Sequence, residues 1–125
     1  MAKLNLHAQY DGAKHRVDIR VDIISWEENN IHFHYAPALD LTGYGHSAQE
    51  AKESFHTQLD DFVNYTMNKG TVYDELERLG WTVNKKKKRV VAPANDELLA
   101  DNETYRNLLD KQTTQKGTTN LELAL

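Results

Sequence analysis

The chain has 125 residues, 39% hydrophobic and 27% charged, with 15 Lys and Arg against 19 Asp and Glu and no cysteine. That length suits one domain with at most an appendage. No apolar run nears the ~18 residues needed to span a bilayer, the start Met1-Ala2-Lys3-Leu4-Asn5-Leu6-His7 carries no apolar stretch of signal-peptide length, and the lack of cysteine excludes a disulfide framework, a thiolate zinc site and a thiol nucleophile.

A soluble cytoplasmic protein is the resulting expectation. The net charge of −4 combines two unlike parts. Residues 1–80 hold 7 basic and 13 acidic side chains, and residues 81–125 hold 8 and 6. Five of those eight are consecutive: Lys85-Lys86-Lys87-Lys88-Arg89. An acidic body thus carries a short basic spike.

In chain order, Leu4, Leu6, Ala8 and Tyr10 alternate ahead of the turn dipeptide Asp11-Gly12 and predict an N-terminal strand. Over 16–26, Val17, Ile19, Val21 and Ile23 oppose Asp18, Arg20 and Asp22, a half-buried strand by its period of two. Glu27-Glu28-Asn29-Asn30 suits a hairpin turn. A second strand covers 31–36, with Ile31, Phe33 and Tyr35 opposing His32, His34 and Ala36, and Pro37 stops it for want of an N–H. A third fits 39–44, with Gly43 and Gly45 at its end.

The pattern then becomes helical. Ser47-Ala48-Gln49-Glu50 matches a capping box, Ala51, Phe55, Leu59, Phe62, Val63 and Thr66 form one stripe, and Gly70 is a natural stop. A short second helix uses Val72, Leu76 and Leu79 and ends at Gly80. Residues 81–83, continued by Val90-Val91, predict a fourth strand. A single helix follows over 97–111, with Leu98, Leu99, Tyr105, Leu108 and Leu109. Residues 112–119 read as a mobile polar linker. The tail ends in the alternating Leu121, Leu123 and Leu125, a strand that docks on a sheet edge of its own chain or of a neighbour. The fold class is α+β: an antiparallel β-β-β-α-β sheet with one main helix packed on one face, plus a C-terminal helix and terminal strand. The expected division is a domain over 1–84 and a C-terminal extension over 85–125.

Few residues invite chemistry. His32 and His34 share a strand face about 6–7 Å apart, a spacing that suits a metal with His46 as a third ligand, or simply an exposed, partner-facing strand. Asp18, Asp22 and Asp40 lie on or beside strands, as a two-metal nuclease would require, but Arg20 between the first two fits an alternating solvent face better. No metal or cofactor is expected. The basic run reads either as a solvated strand edge or as a phosphate-contacting patch. No Gly-x-Ser-x-Gly, phosphate loop or His-Glu-x-x-His occurs, so the chain reads as non-enzymatic.

The stretch Tyr35-Ala36-Pro37-Ala38-Leu39-Asp40-Leu41-Thr42-Gly43-Tyr44-Gly45-His46-Ser47-Ala48-Gln49-Glu50-Ala51 resembles the HicB-type antitoxin domain. Its marks are the Tyr-Ala pair, the Pro, a Leu two residues on, the glycine-containing strand and a Ser-x-x-Glu-Ala helix start. The preceding Ile23-Ile24-Ser25-Trp26-Glu27-Glu28 and the following Glu53-Ser54-Phe55 fit as well, so the likeness covers 17–66. Asp40-Leu41 stands where that family commonly has Pro-Gly. Leu79-Gly80-Trp81 resembles a subgroup with an extended C-terminal region.

The resemblance implies a β1-β2-β3-α-β4 fold of reduced ribonuclease H-like or double-stranded-RNA-binding-like type. It also implies an antitoxin that sequesters a small basic, mRNA-cleaving toxin of the HicA type. On this reading the partner surface is a strand edge or the polar strand positions His32, His34, Asp18 and Asp22. The alternative is a nucleic-acid-binding protein using Lys85, Lys86, Lys87, Lys88 and Arg89 on DNA. Leu121, Leu123 and Leu125 suggest a homo-oligomer, most simply a two-fold dimer, joined by strand pairing between chains.

Overall fold

The structure, a computed structural model, describes residues 16–125. The strand expected over 4–10 lies outside the described residues. Strand β1 (Arg16–Glu28) runs on to the hairpin turn, where Asn29 and Asn30 both adopt the left-handed backbone (φ 54° and 67°) that a two-residue type I′ turn requires. Strand β2 (Ile31–Ala36) ends at Pro37. Strand β3 (Leu41–Gly45) starts two residues later than the alternation suggested, because Leu39 is buried within the connecting turn and donates its N–H to the Ala36 carbonyl.

Helix α1 (Ala48–Lys69) opens as read: Ser47 Oγ accepts the Glu50 N–H at 3.1 Å. Glu50 reaches back one residue further than the simple motif, to the His46 N–H at 2.9 Å. Gly70, with φ 69°, closes the helix. Helix α2 (Val72–Arg78) follows.

The expected fourth strand is instead a separate two-stranded ribbon, β4 (Thr82–Asn84) and β5 (Arg89–Val91). Trp81 decides its place. Its buried indole N–H donates to the Ala38 carbonyl at 2.7 Å, which ties the ribbon to the β2–β3 turn rather than to the sheet edge. The single C-terminal helix is two, α3 (Asn95–Asp101) and α4 (Glu103–Lys111). Asn102 is extended between them and its side chain caps α4 by accepting the Tyr105 N–H at 3.0 Å.

Strand β6 (Gln115–Ala124) completes a four-stranded antiparallel sheet of order β3-β2-β1-β6. Most of the expected linker is therefore strand. Gln115 to Thr119 look like linker because their side chains are largely exposed on an edge, yet their backbone pairs with Ser25 to Val21 of β1. The terminal strand docks within its own chain: Leu121 and Leu123 pair with Ile19 and Val17 and are buried, and Leu125 packs against the same core. These leucines serve the chain's own core rather than an interchain strand. Residues 85–125 contribute Val90, Leu121 and Leu123 to that core.

Helix α1 packs on one face of the sheet as expected, and α3 and α4 lie on the other. Under α1, Val21, Ile23, Ala36, Phe55, Leu59 and Leu123 belong to the main core. On the other face, Ile24 and Tyr35 pack against Tyr105, with Leu98, Leu99, Leu108 and Leu109 of α3 and α4 beside them. A polar chain fixes this second layer. The Tyr35 hydroxyl donates to Asp40 Oδ1 and accepts from Asn102 Nδ2, both at 2.9 Å, and the Tyr105 hydroxyl donates to Asn95 Oδ1 at 2.7 Å. Burial, with the Asp40 carboxylate adding, pushes the Tyr35 phenol up to about 12 even though the Asn102 hydrogen bond pulls it down.

Helix α1 touches β3 at Gly43, where an added Cβ would collide with the Phe55 amide nitrogen and stand 2.5 Å from the Ala51 carbonyl oxygen. Neither is a side chain that can swing aside. Gly43→Ala should lower unfolding free energy in urea by on the order of 3 kcal/mol through enforced helix displacement, whereas Gly117→Ala, with open space around it, should leave it nearly unchanged.

Candidate functional site

Glycine in β3 lets α1 settle over β3 and β2. The same face of β1 near Ser25, and of β6 near Gln115, stays open along the helix flank. Two adjoining clefts run there, of about 540 and 170 Å³, and both are lined by Ser25, His34, Lys52 and Gln115. His32 and Glu27 border the larger, and His56 borders the smaller.

His32 and His34 reach this place because they occupy the β2 positions paired with Glu27 and Ser25, on the α1 side of the sheet. The residues alternating with them, Phe33 and Tyr35, face the other way. There Trp26 and Phe33 stack with ring centroids 5.0 Å apart, and Tyr44 continues the row. The histidines are therefore not an open strand face. His34 is half-buried and meets the edge of the Phe55 ring at 5.3 Å, while His56 meets the same ring at 5.8 Å. Burial first, then the nearby His56 and Lys52 charges, hold the His34 imidazole below the ordinary histidine value of 6.5. His32 lies 3.8 Å from the Glu27 carboxylate.

The other sequence candidates are dispersed. Asp18 and Asp22 are exposed on the opposite face of β1, where Arg20 alternates between them, so the four strand positions read as one partner surface fall on two sides of the sheet. Asp40 is engaged by Tyr35. His46 stands outside the cleft. Among the described residues, no group of three or more His, Cys, Asp or Glu side chains is placed to hold a metal ion. Lys85, Lys86, Lys87 and Lys88 form the turn of the β4–β5 ribbon, with Lys88 left-handed at φ 52°. Lys85 Nζ lies 3.7 Å from Asp74, and Arg89 is exposed at the start of β5.

The sequence reading missed Lys52 and His56. They sit one helical turn apart beside the apolar stripe of α1, and which flank of the stripe overhangs His34 depends on the helix's seat on the sheet.

No family model matches the chain, and no curated protein or solved structure matches it either. No helix among the described residues is long and apolar enough to cross a membrane.

Because the His34 pKa is lowered on folding, the neutral imidazole is the native form. Its stabilising contribution is present above the unfolded value of 6.5 and is lost as pH falls through the lower folded value. The melting temperature of the wild type should thus fall between about pH 7.5 and pH 5, and His34→Gln should flatten that part of the profile. Parallel profiles for the two proteins would contradict the assignment.

Proposed function

We propose that the chain is an antitoxin-like binding protein of the HicAB type, which acts in the cytoplasm without catalysis and occludes a small, basic, mRNA-cleaving toxin. The observation that carries this reading is the coincidence of resemblance and architecture. Residues 17–66, which carry the HicB-like motifs, fold as consecutive antiparallel strands β1, β2 and β3 followed by α1 packed on them, the order that family implies.

The His32 and His34 positions suit a basic toxin poorly, since Lys52 and His56 share their cleft. The better surface is the outer side of α1 and α2, where Glu53, Asp60, Asp61, Asp74 and Glu77 are all exposed. Such a field speeds encounter with a cationic partner and weakens with salt. A small basic protein should be encoded beside the gene and should co-purify with the chain on co-expression. Replacing Glu53, Asp60 and Asp61 together by Lys should slow association at least ten-fold at low salt. Failure of the neighbouring protein to form any complex with the wild type would end the toxin assignment.

The ribbon turn favours a second reading, contact with nucleic acid. Lys85, Lys86 and Lys87 are exposed at the tip of a ribbon that Trp81 and Val90 anchor in the core, so cations are held out on a fixed support. Binding to duplex DNA through about four phosphates should show a log–log salt slope of roughly −3 to −4. Replacing Lys85, Lys86, Lys87 and Lys88 by Gln should abolish that dependence. An unchanged isotherm would remove the reading.

A further inference from the structure

In a chain of net charge −4, the flank of α1 gathers Lys52 and His34 on both of two adjoining clefts and His56 on the smaller. Asp60 follows one turn beyond His56 but lies outside the lining of either cleft. Lys116 also lines the smaller cleft, although its pairing with Ile24 directs its side chain to the other face of the sheet. Among the described residues, Lys52 makes no salt bridge. Three groups that carry or can acquire positive charge thus stand along one helix flank, and Glu27, beside His32, is the one carboxylate on the lining.

The surroundings narrow the anion. Ser25, Gln49 and Gln115 supply hydroxyl and amide donors between the charged groups. A phosphomonoester, with about two negative charges and three acceptor oxygens, uses such a mixed set of donors more fully than a planar carboxylate does. The larger cleft, about 540 Å³, lies within the usual size of small-molecule sites. We propose that the two adjoining clefts together bind a small phosphomonoester of nucleotide size, with the phosphate held by Lys52, His34 and His56. None of these residues belongs to the acidic flank assigned to a toxin, so the two bindings fail or succeed separately.

Because a bound dianion favours the imidazolium forms, binding takes up protons and tightens from about pH 8 toward pH 6.5. Glu27 and His32 also border the larger cleft, 3.8 Å apart. The test is an NMR titration of the full chain, following the imidazole signals, with a nucleoside 5′-monophosphate, inorganic phosphate and citrate as separate probes. The monophosphate should shift the His34 and His56 signals saturably and raise both their titration midpoints. Inorganic phosphate should reproduce the shifts with weaker affinity. Lys52→Gln, at an exposed position that should not disturb folding, should weaken binding on the order of ten-fold, and Lys111→Gln, on α4, should not. Static imidazole signals would overturn the site. So would an unchanged affinity in Lys52→Gln. Citrate binding as tight as the monophosphate would overturn the phosphate assignment, and equal affinity for inorganic phosphate would overturn the nucleotide size.

Discussion

Everything on the α1 face is set by one steric allowance, the absence of a side chain at Gly43. With a Cβ there the helix backbone would have to rise, and Gly45 repeats the demand two residues on, where the Glu50 Cβ stands 2.5 Å from the position a side chain would take. The close seat brings Phe55 down to 0% exposure and places its ring against His34. It also fixes how far the helix extends across the sheet. Seated in the glycine trough, the helix lies over β3 and β2 and leaves the β1 and β6 side open beside Lys52 and His56. The hydrophobic packing and the cationic cleft therefore have the same cause.

The second face follows another logic. Its apolar contacts are few, and Ile24, Tyr35 and Tyr105 carry most of the burial. Position is supplied by directional bonds that run from Asp40 through Tyr35 to Asn102. Asn102 does two jobs with one side chain: its amide nitrogen meets the tyrosine hydroxyl and its oxygen caps α4. Buried hydroxyls and amides are costly unless partnered, so this network is all-or-none, and the sharp helix break is the geometry that lets Asn102 serve both bonds.

Much of the architecture was legible in the sequence because it rests on local rules. The period-two runs, the Ser47 cap, the Gly70 stop and the paired asparagines act within a few residues of themselves. What the sequence obscured depends on long-range pairing. Gln115 to Thr119 carry linker composition, and only the partner strand 90 or so positions earlier makes them a strand. The break at Asn102 hides because the apolar spacing runs through it. Trp81 gives no hint that its indole will choose the Ala38 carbonyl. The candidate site divided in the same way. His32 and His34 were found as a same-face pair, but the seat of His34 against Phe55 was not, because it depends on which face α1 covers. Lys52 and His56 lacked any local signal.

The pairing of β1 with β6 has a consequence for how the molecule is made. Val17 meets Leu123, so one of the first described residues closes on nearly the last. Sheets with such distant partners close slowly, because loop entropy must be overcome before the contacts form. On a ribosome, β1, β2, β3 and α1 emerge with one long edge of β1 still bare. That edge stays open to foreign strands until β6 has left the exit tunnel. Loss of β6 would leave a chain with its helical segments intact and the β1 backbone from Arg16 to Ser25 uncovered on that edge.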